Sequence, residues 1–102
     1  MKESYTLNFD SNSKEFHLSG ELTFTTVNKL LEQAPDLFEG HHQLKIDLTK
    51  VTRSDSAGLA LLINWMRWAK KMSKEIMFYN VPAQILAIAH ASGVDELLPI
   101  GA

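Results

Sequence analysis

Two short runs near the start of the chain alternate apolar and polar residues. In SYTLNF the residues Tyr5, Leu7 and Phe9 share one face, and in KEFHLSG Phe16 and Leu18 do. The polar DSNS between them reads as a turn, so the pair predicts an antiparallel hairpin. The period then changes. Val27, Leu30, Leu31 and Ala34 fall at helical spacing, with Thr23 or Thr25 as the cap and Pro35 as the residue that stops or kinks the helix. Alternation returns in QLKIDLTKV, where Leu44, Ile46 and Leu48 oppose Lys45, Asp47 and Thr49, a strand with one wet face.

A long helix follows over DSAGLALLINWMRWAKKM, ending in Lys70 and Lys71, which suit the negative end of the helix dipole. EIMFYNV predicts a fourth strand. PAQILAIAHASG predicts a third helix, with Pro82 in its first turn and Gly93 as its stop, and VDELLPIGA leaves room for one more helical turn. The order is ββαβαβα. Helical crossovers between the last three strands imply that they are parallel. Alternating rather than uniformly apolar strands imply an α/β (α+β) fold with helices on only one face of the sheet.

The stretch TRSDSAGLALLINW raises the question of function. Asp55 is a good N-cap, its carboxylate placed to accept from the backbone N–H of Ala57 or Gly58. Ser56 then lies in the first turn, near unpaired N–H groups and the positive end of the dipole, where negative charge, including a phosphate, is tolerated. Ala57, Gly58 and Ala60 are small enough for another backbone to approach. At about 100° per residue, Leu59, Leu61, Leu62, Trp65, Met66, Trp68, Ala69 and Met72 occupy one broad arc, with Ile63 at its edge. Such an arc fits either a deep seat between sheet and neighbouring helices or a seat partly shared with another protein. Ser56, Ala60, Ile63, Asn64 and Arg67 lie together beside it.

Length and composition narrow the chemistry. The 102 residues suit one domain over 1–102, and 45% hydrophobic with 22% charged residues suits an ordinary globular core. A net charge of −2 gives no basic excess for nucleic acid. With no Cys, disulfide and thiolate chemistry are excluded. No apolar run reaches transmembrane length and no signal segment precedes Tyr5, so a cytoplasmic protein without direct membrane insertion is expected. A Ser nucleophile needs a base, and none of His17, His41, His42 and His90 is paired with Ser56 by any motif. Adjacent His41 and His42 lack spaced partners for a metal, the glycines form no phosphate-binding loop, and Asp95-Glu96 reads as a solvated cap. Trp65 and Trp68 read as core. No enzyme class, metal or cofactor is expected.

Over nearly its whole length, from HLSGEL through LKIDLTKV, TRSDSAGL, ALLINWMRWAKK and IMFYNVP to AQILAIAHASGVDELLP, the chain resembles the STAS domains of sulphate transporters and anti-sigma-factor antagonists. The resemblance implies a mixed four- to five-stranded sheet with helices on one face. In antagonists a phosphorylatable Ser directly follows the Asp, here Ser56. A second group is the small STAS subunit of the Mla phospholipid-transport system, which maintains outer-membrane lipid asymmetry in Gram-negative bacteria and binds the cytoplasmic ABC ATPase with a Thr or Ser at this position. VTRSDSAGLALL with AKK, and VPAQILAIAHASGV, look closer to the Mla type, and Ala57 stands where many antagonists have a second Ser. The resemblance therefore implies a non-catalytic subunit, peripheral to the inner membrane, contacting an ATPase through Ser56, and the helical wheel adds Ala57, Ala60, Ile63, Asn64 and Arg67 to the expected contact surface. An antagonist that binds an anti-sigma kinase and is switched by phosphorylation of Ser56 is the alternative.

Overall fold

The computed structural model describes residues 4–101. Its elements are β1 (Tyr5–Asp10), β2 (Glu15–Leu22), α1 (Phe24–Phe38), β3 (Gln43–Ser54), α2 (Ser56–Lys71), β4 (Glu75–Tyr79), α3 (Ala83–Ala91) and a short 3-10 turn at Asp95–Leu97. The strands form one sheet in the order β1-β2-β3-β4. β1 pairs antiparallel with β2, Leu7 opposite Leu18 and Phe9 opposite Phe16; β3 lies parallel to both β2 and β4. Beyond β4, the tail bonds on in parallel: Phe78 N–H donates to Pro99 C=O (2.8 Å) and Gly101 N–H to Phe78 C=O (2.8 Å), the beginning of a fifth strand.

Alternation along the strands sets the two faces. Phe16, Leu18, Leu22, Leu44, Ile46, Leu48 and Phe78 are buried with Leu30, Ala34 and Phe38 of α1, Leu61, Leu62, Trp65 and Ala69 of α2, and Ile85 and Ala89 of α3. Each fully buried large apolar side chain contributes about 1.5–3 kcal/mol. Phe38 stands edge-on to both Phe16 (5.0 Å between centroids) and Trp65 (5.3 Å), and Trp68 lies 5.8 Å away. The broad apolar arc of α2 is therefore the deep-seat case: Leu59, Leu61, Leu62, Trp65 and Ala69 are buried and only Met72, past the helix end, is well exposed.

Three boundaries differ from the sequence reading. Pro35 does not stop α1, which continues to Phe38. A proline inside a helix costs about 3 kcal/mol, but the added turn buries Phe38 among aromatic neighbours, and Glu39 N–H closes the end on Pro35 C=O (3.0 Å). Pro82 is the N-cap of α3 rather than a first-turn residue, its C=O accepting from Leu86 N–H (3.1 Å). β3 runs on to Ser54, past the alternating stretch. The β2–β3 register slips between His17/Ser19 and Gly20/Glu21, so Thr49 and Lys50 are both exposed while strand pairing goes on. At the slip Gly20 has φ +95°, and a side chain there would strike Ser4 C=O and the Cα of Tyr5.

The open face of the sheet is polar. Asp47 Oδ1 accepts from Asn80 Nδ2 (2.9 Å), Thr49 N–H (3.1 Å) and Thr49 Oγ1 (2.6 Å), while Asp47 Oδ2 lies 3.1 Å from His17 Nδ1. Partial burial pushes the Asp47 carboxyl up, but the bonds from Asn80 and Thr49, with His17 alongside, outweigh it and hold the group below its ordinary range. At the far end of α3, a hydrogen bond from His90 (3.1 Å) likewise holds Asp95 low.

Candidate functional site

The site is built where β3 hands over to α2. Asp55 is extended (φ −121°) and its Oδ1 accepts from Ala57 N–H at 2.8 Å, while its C=O accepts from Gly58 N–H at 3.0 Å. Asp55 N–H also reaches Leu22 C=O (3.4 Å), tying the junction to the end of β2. Ser56 is thereby held as the first helical residue, exposed to solvent.

Along the outside of α2, Ala60, Asn64 and Arg67 are exposed and Ile63 is half-buried, so Ser56, Ala60, Ile63, Asn64 and Arg67 form one strip. Asn64 Nδ2 is tied back to Ala60 C=O (2.8 Å). The ion pairs among the described residues all involve histidine, which leaves the Arg67 guanidinium unpaired. Chemically the strip offers one hydroxyl, one methyl-sized flat spot and one cation.

The small residues of the first turn do not all face outward. Gly58 is buried: a side chain there would fall on Ser54 Oγ and come within 3.2 Å of Ile85 Cδ1. Its smallness seats α2 against the end of β3 and against α3, inside this chain. Ala57 is half-buried against the core, and Ala60 is the small residue open to an approaching surface.

One exposed side chain at this end escaped the sequence reading. Phe24, the first residue of α1, is 76% exposed and lies two residues past Leu22, whose C=O holds Asp55 N–H. It shares the apolar spacing of α1, but it stands at the N-terminal edge, where a helical side chain leans beyond the helix end rather than over the core. The signal is an aromatic immediately after a Thr cap.

Among the described residues, no histidine is hydrogen-bonded to Ser56. His17 is engaged with Asp47 and Asp10, His90 with Asp95, and the His41 ring packs against Phe9 (4.4 Å) and Phe16 (5.0 Å). No helix among the described residues is long and apolar enough to cross a membrane.

A four-stranded mixed sheet with helices on one face, and an Asp-Ser step capping the helix after the long strand, define the STAS class of domain. The comparisons agree. The family model described as "Mlab, STAS domain" matches residues 5–99, and the chain belongs to that family. It is 28% identical over 87 residues to the anti-sigma-B factor antagonist of Staphylococcus epidermidis, covering 84% of this chain and 81% of that protein. It is 23% identical over 93 residues to the anti-sigma-B factor antagonist of Bacillus subtilis, covering 91% and 85%. Among solved structures, unphosphorylated SpoIIAA, an anti-sigma factor antagonist, superposes with a TM-score of 0.67 at 17% identity over 96% of this chain and 88% of that one, a likeness of fold.

Proposed function

We propose that this STAS domain is a non-catalytic adaptor that docks on the ATPase of an Mla-type ABC phospholipid transporter and supports its assembly or activity, and so outer-membrane lipid asymmetry. It would act in the cytoplasm, peripheral to the inner membrane through its partner. The observation that carries the reading is the exposed Ser56 hydroxyl, fixed by the Asp55 cap at the head of a strip of modest relief formed by Ala60, Ile63, Asn64 and Arg67. A flat, hydroxyl-bearing patch suits close packing against a protein surface, and the exposed Phe24 at the same end supplies an aromatic anchor of the kind that dominates interfaces. Ala57, half-buried behind Ser56, shapes the contact from beneath. The description of the matched family as Mlab favours the transporter partner.

The second reading is an anti-sigma-factor antagonist regulated by phosphorylation of Ser56, favoured by the names of the relatives from Staphylococcus and Bacillus. A phosphate brings about −1.5 to −2 charges to this strip.

The readings part at Ser56→Ala. An adaptor loses one hydrogen-bond contact, about 0.5–1.5 kcal/mol of binding, and Ser56→Thr, which keeps the hydroxyl, still functions. A phospho-switch instead becomes permanently active in Ser56→Ala. Co-purification with the ATPase and outer-membrane detergent resistance, measured for both variants, decide between them. Gain of function in Ser56→Ala together with stoichiometric phosphate on native Ser56 would replace the adaptor by the switch.

A further inference from the structure

We infer that Glu15, His17 and Asp47, on the open face of the sheet, form a binding site for a divalent transition-metal ion of the zinc type. The site lies on the face away from the helices and is independent of the proposed partner strip. Glu15 and His17 are two apart on β2 and so share a face, and the β2–β3 register sets Asp47 directly beside His17. One ligand atom from each of the three lies within 4.8 Å of the others, and all three residues are half-buried. An ion drawing them to about 2.0–2.2 Å would have three protein ligands and an open position for water. One imidazole with two carboxylates suits zinc and its neighbours, whereas magnesium and calcium favour all-oxygen sets.

The outer shell is already arranged. Metal-ligating histidines hand their second ring N–H to a carboxylate or similar acceptor, and ligating carboxylates are themselves hydrogen-bonded. With Nδ1 of His17 turned to Asp47 (3.1 Å), its Nε2 faces Asp10 Oδ2 (3.6 Å) and Ser13 Oγ (3.5 Å). Asp47 has one oxygen occupied by Thr49 and Asn80, which leaves Oδ2 directed at the site. Asp10, Glu15 and Asp47 thus gather around one histidine. Lys45, on the same face two residues before Asp47, makes no ion pair with them among the described residues. A divalent cation balances this excess. Its ligands come from two strands, and their supports come from the β1–β2 turn and the end of β4, so binding would fasten the hairpin to the sheet.

The alternative is a plain His17–Asp47 hydrogen bond that takes no ion. Calorimetric titration of the purified full chain with zinc chloride separates the two, with thermal unfolding as a second readout. The expected result is one zinc per chain and a raised unfolding midpoint. Glu15→Gln and Asp47→Asn, which keep side-chain shape, should each weaken binding by about tenfold or more, the loss that even outer-shell changes produce, and abolish the midpoint shift. Asp10→Asn should weaken it by about 10- to 100-fold. His42→Ala and His90→Ala, at exposed histidines elsewhere, should change nothing. Absence of one-to-one binding by the wild type overturns the site, as does undiminished binding in Glu15→Gln and His17→Gln.

Discussion

The junctions that lead from β3 into α2 and from β4 into α3 have the same construction, a parallel strand feeding a crossover helix, yet they end differently. At the first, a side chain caps the helix, a glycine is pressed against the strand end, and a serine is left in solvent. At the second, Pro82 occupies the cap position with no side-chain bond, and Asn80 at φ +57° turns back to bond Asp47 on the open face. The second junction spends its polar group on the protein's own sheet. The first satisfies its backbone with Asp55 and leaves Ser56 uncommitted. A hydroxyl held at the head of a helix with no hydrogen bond among the described residues suits a contact surface, and the proposed docking role rests on this contrast between the two junctions.

The contrast can be broken first at Gly58. Gly58→Val should destabilise the domain by about 1–3 kcal/mol through overpacking, read by urea unfolding, because its side chain meets Ser54 and Ile85. Adding Ser54→Ala should return part of that loss. A more stable Gly58→Val protein would show that α2 is not seated closely there.

Next comes the cap. Asp55→Ala should cost about 0.5–2 kcal/mol and lower the melting temperature, with partner binding weakened as Ser56 shifts. Equal melting temperatures would remove the capping argument. At the other junction, Asn80→Ala loses one hydrogen bond to Asp47, about 0.5–1.5 kcal/mol, and places alanine at positive φ. Asn80→Gly relieves the backbone, so its melting temperature should lie above that of Asn80→Ala; the reverse order would mean that backbone conformation does not matter here.

The smallest effect is at the far end of α3. A hydrogen bond from His90 holds the Asp95 carboxyl below its ordinary value. The linked stability is therefore present above that ordinary value and lost as pH falls through the lower folded-state value. Asp95→Asn should be slightly less stable than wild type at neutral pH and converge with it in acid, which flattens this portion of the acid unfolding curve. An identical acid limb in wild type and variant would remove the interaction.

Much of this architecture was legible because the period of the apolar residues changed cleanly between elements. Leu44, Ile46 and Leu48 alternate, Val27, Leu30, Leu31 and Ala34 do not, and those patterns carry the sheet and α1. Alternation failed as a guide beyond Leu48, since the register slip that lengthens β3 belongs to two strands and shows in neither one alone. Of the two readings of Pro35, the stop failed because a local cost was outweighed by Phe38 packing onto Phe16 and Trp65, contacts between distant segments. At the site, the Asp55-Ser56 step could be read from residue chemistry and spacing. The inward role of Gly58 and the proximity of Phe24 could not, because they depend on where Ser54, Ile85 and Leu22 arrive in space. The grouping of Glu15, His17 and Asp47 likewise exists only through strand pairing.

The most direct test of the central claim, that the outer strip of α2 is a docking surface for the transporter ATPase, is co-purification of the ATPase with Ala60→Trp. Ala60 is exposed, so the indole alters the strip without entering the core, and circular dichroism and melting temperature should match wild type. The account predicts a folded protein that no longer retains the ATPase. A folded Ala60→Trp protein that co-purifies with it at the wild-type ratio would contradict the account.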